Sequence, residues 1–456
     1  MRVLKFGGTS VADADAIERL VAIVQSRGGA RTVVVSALGG ITDALLAIAD
    51  LATIDAVRAR AALEGVVARH LEVAASLGSA GAEAVTPMLL GIARGAAHTV
   101  DTIAAAGTAS PALVDKLAAA GELWSSRLVA AFLADAGLRA QWIDARHVVR
   151  TDDRYRQAAP DLTATEDAVR RHVRPALALD RIVVIGGFVG SAPDGSTTTL
   201  GRGGSDYSAA LLGACLLADE IEIWTDVDGV FSADPRLVAH ARVLPALSYE
   251  NAEILATFGA KVLHPKTIEP AAALDIPVRV LNSRRPSEPG TRIDGAGSAA
   301  GGQAAVAARG NITLVRITAR DRRPDPAFAA RALQALADSH VGVLAGEVHK
   351  GTLTVAAEGG VDVAALRTRL GPGADVETRE GLSAVCAVGD RLAHDARLVA
   401  SAFAALDGRH VHLVARPGDA TSALAVVVDD RDVHDLLARL HDAFAGVLPV
   451  AREAVA

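Results

Sequence analysis

A short strand candidate at residues 2–6 ends in Gly7-Gly8-Thr9-Ser10, and an amphipathic stretch with helical spacing follows over residues 12–25. Residues 32–37 repeat the pattern as a β-branched run without polar alternation, which is how a strand buried on both faces reads. It ends in Leu38-Gly39-Gly40-Ile41-Thr42-Asp43, a second glycine turn that opens a helix. Residues 43–107 and 110–135 are Ala-rich and helical, predicting a lobe of several helices over the sheet. Strand patterns return at 142–149 and 181–186, the latter running into Gly186-Gly187-Phe188-Val189-Gly190, and Leu200-Gly201-Arg202-Gly203-Gly204-Ser205-Asp206 precedes a helix over 207–218. Residues 220–225 and 277–281 are further strands, and 247–255 a helix. Strands that each end in a glycine turn, with helices between them, predict a mostly parallel α/β sheet with a site along one edge.

Past residue 294 the pattern changes. Asp294-Gly295-Ala296-Gly297-Ser298-Ala299-Ala300-Gly301-Gly302 reads as a linker, taken as residues 296–308. Strand, helix, strand, strand, helix follow over 311–318, 326–339, 341–347, 352–357 and 361–370. The order recurs at 382–388, 394–406, 410–415, 422–428 and 432–444, about 70 residues later. These are two ferredoxin-like α+β units, 309–380 and 381–456, either consecutive or one nested in the other. Residues 1–295 form the α/β part.

At 456 residues the chain exceeds one ordinary domain. The N-terminus runs straight into a strand, so no secretory signal is read and a cytoplasmic protein is expected. No stretch approaches 18 uninterrupted apolar residues, so no membrane span is expected. A net charge of -7 without a basic block argues against nucleic acid as partner. Cys215 and Cys386 stand far apart without metal-ligand spacing and read as buried apolar residues; no metal ligand is assigned. One usage is informative. Lys occurs only at positions 5, 116, 261, 266 and 350 among 46 basic residues. In a chain that otherwise uses Arg, a retained ammonium suits a point contact to a phosphoryl oxygen, and Lys5 adjoins the first glycine turn.

The stretch from Leu200 to Asp206 reads as an anion cradle, because glycines let amides approach a ligand and a helix N-terminus lies beyond. Arg202 adds a planar fork for a carboxylate or phosphate, and Asp206 a carboxylate at the helix start. Glu122, on an apolar background, is either an exposed carboxylate at a helix start or a ligand for an amine. Asp226-Val227-Asp228-Gly229 is either a metal or ribose contact or an Asp/Gly turn. The spacing of the Walker and dinucleotide fingerprints is absent.

Taken together, Lys5-Phe6-Gly7-Gly8-Thr9-Ser10, the Leu200–Asp206 stretch, Trp224-Thr225-Asp226-Val227-Asp228-Gly229 and Phe258-Gly259-Ala260-Lys261-Val262-Leu263-His264-Pro265 resemble, in order, the motifs of the aspartate kinases within the amino-acid kinase family. The paired C-terminal units resemble that family's ACT regulatory domains. The resemblance implies the amino-acid kinase fold, three α/β/α layers, and ATP- and Mg2+-dependent phosphorylation of the L-aspartate β-carboxylate, the entry step to lysine, threonine and methionine. It implies that Lys5 neutralises the moving phosphoryl group, that the amides of Gly7, Gly8 and Gly204 cradle it, and that Asp206 orients the active-site groups and the metal. Thr42, Glu122, Arg202 and Ser205 would hold aspartate, and Lys5, Gly7, Gly8, Thr9, Thr225, Asp226, Phe231, Arg236 and Lys261 would hold ATP. Phe231 departs from the Tyr that many relatives carry. A homodimer or higher homo-oligomer through the ACT units is implied. The alternatives are another amino-acid kinase on this fold and a catalytically reduced amino-acid sensor. In lysine- or threonine-responsive relatives the turn matching residues 344–351 is rich in Ser and Thr, whereas here it carries Glu347, His349 and Lys350. Weak or absent inhibition by either amino acid is therefore expected.

Overall fold

The computed structural model describes the chain except residues 30, 261–264, 298–303, 322–325, 390–391, 393–394, 418–421 and 446–456. It divides into two compact units, residues 1–229 with 262–295 and residues 230–261 with 296–456.

In the first unit β1 (Arg2–Phe6) leads through a 3-10 turn at Gly8–Val11 into α1 (Ala14–Ser26) and β2 (Arg31–Val35). Helices α2 (Ile41–Ala52), α3 (Ala56–Ala75), α4 (Ser79–Ala106), α5 (Pro111–Ala118) and α6 (Ala120–Asp135) form the expected helical lobe. Then come β3 (Ala140–Ile143), α7 (Leu162–His172), α8 (Arg174–Ala178), β4 (Ile182–Gly186), the hairpin of β5 (Val189–Ser191) and β6 (Thr197–Thr199), α9 (Gly204–Leu216) and β7 (Glu220–Thr225). Ala246–Ser248 (β8) and Tyr249–Thr257 (α10) belong to the second unit. The first unit closes with α11 (Pro265–Ala272), β9 (Val278–Asn282) and β10 (Thr291–Asp294). Its sheet runs β3-β4-β2-β1-β7-β9-β10, parallel up to β9 and antiparallel at β10.

Parallel strands carry their C-terminal ends on one edge, so the turns after β1, β2, β4 and β7 gather there, as the pattern predicted. Period-two alternation then sorts the side chains of β1. Leu4 and Phe6 enter the core shared with α1, α2 and α6. Lys5, one residue out of phase, points to the opposite face, where α9 packs on β1 and β7. Helix α9 carries no clear amphipathic stripe because it is buried nearly all round, and Gly213 lets it lie against Ile221, whose side chain an added Cβ would meet at 2.6 Å. Among the described residues, one helical stretch, Pro111–Asp135, is long and apolar enough to cross a membrane; it is 78% buried, as a core helix is.

The second unit carries one six-stranded antiparallel sheet in the order β12-β13-β11-β14-β16-β15. Its strands are β11 (Ala304–Ala319), β12 (Val343–His349), β13 (Thr352–Glu358), β14 (Ala374–Gly389), β15 (Leu413–Ala415) and β16 (Ala423–Asp429), with helices α12 (Pro326–Asp338), α13 (Val363–Leu370), α14 (Ala396–Leu406) and α15 (Val433–Ala445). Residues 304–308, expected as linker, are strand: they pair with 385–389 of β14, and Ala305, Val306 and Ala307 are buried there. An Ala-rich run has weak strand propensity, so tertiary pairing decides its conformation. Residues 374–380 are strand without a strand pattern in sequence, because only Ala374 and Val376 of that charged run face the core. The two long strands resolve how the ferredoxin-like halves connect. Ile312–Ala319 pairs with β13 and with 374–382, while 304–309 pairs with 384–389, which in turn pairs with β16. The first half is therefore nested between the opening strand of the second half and the rest of it. Each half keeps its own core, Val315, Phe328, Leu336 and Val355 in one and Val385, Leu398, Val428 and Leu440 in the other.

Candidate active site

Lys5 of β1, the turns after β2 and β4, helices α2, α5 and α6, residues 154–157 and the start of α9 line a cavity of about 1020 Å³ in the first unit. Lys5, Thr42, Glu122, Arg202, Gly204, Ser205 and Asp206, all expected from sequence, line it. Lys5 is buried and forms an ion pair with Asp206, Nζ to Oδ1 at 2.5 Å. Helix α9 begins from Gly203, whose φ of 71° is a left-handed conformation that glycine adopts without a Cβ penalty. Gly187 lets the β4 turn touch that start, since an added Cβ would lie 2.7 Å from Ser205 Cα. Phe188 next to it takes a φ of 65°, strained for a bulky residue, and its ring packs where a Cβ on Gly204 would stand, 2.8 Å away.

Glu122 is not the exposed helix-start carboxylate that the sequence allowed. It is 2% exposed, in the first turn of α6, and its Oε2 has no hydrogen-bond partner. Burial pushes the carboxyl up to about 8, against the stabilising pull of the Ala37 backbone N–H. A lone buried carboxylate on a cavity wall is the complement of an ammonium group. Arg202 is exposed and makes no ion pair with a described residue.

The glycine amides divide unexpectedly. Gly7 N–H donates to the Trp224 carbonyl at 3.0 Å and Gly204 N–H to the Gly201 carbonyl at 3.0 Å, so neither is open to a phosphate. The amides of Gly8, Thr9 and Ser205 have no acceptor among the described backbone and side chains. A turn residue continues the ladder or caps a helix before it serves a ligand, and sequence does not distinguish the two.

The Gly7 bond also sets the first turn beside the end of β7, where Thr225 Oγ1 donates to Asp226 and Asp226 is exposed. Asp228 accepts from Asn282 Nδ2 at 2.6 Å and pairs with Arg285, so within that stretch it is a turn residue. Phe231 and Arg236 lie in the second unit, where Asp234 holds the Arg236 guanidinium at 2.5 Å. Lys261 lies outside the described residues.

Several lining residues carried no signal in sequence. Asp115 on α5 is buried and accepts from Arg156 N, Thr199 N and Thr199 Oγ1, each at 2.8 Å. It fixes residues 154–157 over the glycine turn, where a Cβ on Gly201 would come 2.9 Å from the Arg156 carbonyl. Burial raises the Asp115 carboxyl above its usual range. Nothing in local spacing links residues 115, 156 and 199.

A parallel sheet with open amides, a lysine and a buried carboxylate at its C-terminal edge is an α/β arrangement of the kind that binds phosphorylated ligands. The amino acid kinase family model matches residues 1–282. Lysine-sensitive aspartokinase 3 of Escherichia coli is 35% identical over 96% of this chain and 98% of its own length. The aspartokinase of Chlamydia trachomatis is 35% identical over 64% of each. Of the bifunctional aspartokinase/homoserine dehydrogenase 1 of Arabidopsis thaliana, 36% identical, this chain spans 32%. Crystal structures of E. coli aspartokinase III, 32% identical, match over 97% of this chain and 99% of theirs, with a TM-score of 0.88 for the complex with aspartate and ADP and 0.78 for that with lysine and aspartate. The chain belongs to the amino acid kinase family and, within it, to the aspartokinases.

Proposed function

We propose that the cavity holds L-aspartate between Arg202, on a carboxylate, and Glu122, on the α-ammonium, with Thr42 and Ser205 adding hydroxyls. The chain is an ATP-dependent aspartate kinase, forming 4-phospho-L-aspartate and ADP. The observation that carries the substrate reading is the buried Glu122 with an unpartnered oxygen, since an ammonium both satisfies it and returns it to the charged form. The β-carboxylate is already ionised near neutral pH and needs no strong base. Lys5 and the open amides of Gly8, Thr9 and Ser205 take the phosphates, which is where charge neutralisation acts on phosphoryl transfer. Thr225 and Asp226 extend the nucleotide side, and the family pattern adds Phe231, Arg236 and Lys261. Asp206 offers the oxygen donor that Mg2+ accepts alongside phosphates. Bound Mg2+ would draw charge from the transferring group. The chain assembles as a homo-oligomer through its C-terminal units and works in the cytoplasm.

The test is phosphoryl transfer to a panel of amino acids with hydroxylamine trapping of the acyl phosphate. Hydroxamate formation that requires both ATP and aspartate is expected. Product with glutamate alone would make it a different amino-acid kinase, and ligand binding without product a sensor.

The regulatory reading rests on β12 and its turn into β13. Glu347, His349 and Lys350 are exposed there, and Lys350 and Gly351 both take positive φ, 41° and 74°, closing a two-residue hairpin. Hydroxyl hydrogen bonds contribute about 1 kcal/mol each, so losing several removes a coupling of about 1–3 kcal/mol. Lysine or threonine is expected to give no half-inhibition below about 1 mM. Half-inhibition at submillimolar lysine, as the name of the E. coli relative suggests for that enzyme, would reject this reading.

A further inference from the structure

Outside the cavity, three ligating atoms of the second unit converge. His441 Nδ1 stands 3.2 Å from His240 Nε2, which stands 2.6 Å from Asp442 Oδ1, and all three lie within 4.8 Å of one another. We propose that His240, His441 and Asp442 form a binding site for a divalent transition-metal ion of the zinc class, with water completing its coordination.

The geometry suits such an ion. Ligand atoms on a tetrahedral zinc at about 2.0–2.1 Å are about 3.3 Å apart, close to the His441–His240 separation. The shorter His240–Asp442 contact opens at little cost, because both side chains are more than half exposed. The outer contact is also present. His441 is buried, and its Nε2 lies 2.8 Å from Ser232 Oγ, which already accepts the Arg242 backbone N–H at 3.0 Å. If Ser232 accepts from Nε2–H as well, Nδ1 keeps its lone pair toward His240; a partner on the far nitrogen of this kind fixes the tautomer of metal-bound histidines.

A simple ion pair explains less. An imidazole nitrogen has a single in-plane direction for a proton or a lone pair, so one proton on His240 Nε2 cannot be aimed at both Asp442 and His441. A cation among the three atoms satisfies them together. Two histidines and one carboxylate are borderline donors that favour zinc-class ions over Mg2+.

The site would clasp two segments. His441 and Asp442 are adjacent on α15, His240 sits on the series of turns that follows Ala233, and Ala233 and Val238 pack into the core that α15 completes. An ion there would fix the 234–242 turns, which carry Arg236, to the C-terminal helix.

The test uses the full chain after chelator treatment and without nucleotide. Co2+ is titrated while its visible ligand-field bands are followed, and Zn2+ is then added. One equivalent of Co2+ with enhanced bands that Zn2+ displaces is expected. His240→Ala and Asp442→Asn should each weaken Co2+ binding about tenfold or more, while His349→Ala, on exposed β12, leaves it unchanged. Both substitutions in the site fall on exposed side chains, so the core stays intact. Absence of the bands, or equal affinity in His240→Ala, would overturn the proposal.

Discussion

Replacing Lys5 with alanine is expected to lower kcat by about 10²-fold or more, because a charge aimed at the transferring group stabilises the transition state by several kcal/mol. Lys5 is a single cation held inside the cavity edge by strand phase and by Asp206 at 2.5 Å. Lys5→Arg should not restore turnover. The ammonium fits a narrow place, with a Cβ built on Gly7 only 3.6 Å from Nζ, and a planar fork is wider. Steady-state kinetics should be paired with thermal unfolding, so that a loss of fold is not read as a loss of chemistry. Near-normal turnover in a folded Lys5→Ala enzyme would remove this residue from the mechanism.

Neutralising Glu122 or Arg202 should raise the KM for aspartate far more than that for ATP, because each variant removes a charge from one end of the amino acid. If both KM values rose together, or only that for ATP, the placement of the substrate would be wrong. Glu122 adds a pH signature. With its carboxyl raised to about 8, a rise in pH toward that value ionises it and strengthens its pairing with an ammonium. The KM for aspartate should then fall with pH by at most about tenfold per unit below 8 and level off above, and Glu122→Gln should flatten the profile. Stability runs the other way. A folded value of about 8 against 4.5 in the unfolded chain means the native state holds an extra proton between them. The contribution is complete below about 4.5 and is lost as pH rises through 8. Unliganded Glu122→Gln should therefore melt higher than the native chain at pH 8 and alike at pH 4.5. A flat KM profile with an unchanged melting difference would show that Glu122 does not titrate in this range.

Much of this was legible in the chain. Strands β2 and β4 announced themselves by apolar runs and the turns after β1, β2 and β4 by their glycines, because burial on both faces and positive φ leave few residue types free. That alone put Lys5, Arg202, Ser205 and Asp206 at one sheet edge. The ferredoxin-like repeat was visible for the same reason, since local periodicity records which face is buried.

What tertiary structure decided is what depends on residues far apart in sequence. Glu122 could have been a solvated helix-start carboxylate; packing α6 under Gly186, where an added Cβ would meet the Glu122 carbonyl at 3.0 Å, buried it. Asp115 acquires its role only through Arg156 and Thr199. Gly7 and Gly204 looked like phosphate donors until their amides were claimed by Trp224 and Gly201. Residues 304–308 become strand only by pairing with β14, which also nests one half of the second unit inside the other. Sequence specifies the local conformations and the buried faces directly, because those follow from each residue's own backbone and polarity. Which distant groups meet, and which polar atom is left unpaired, is fixed only when the whole chain closes around them.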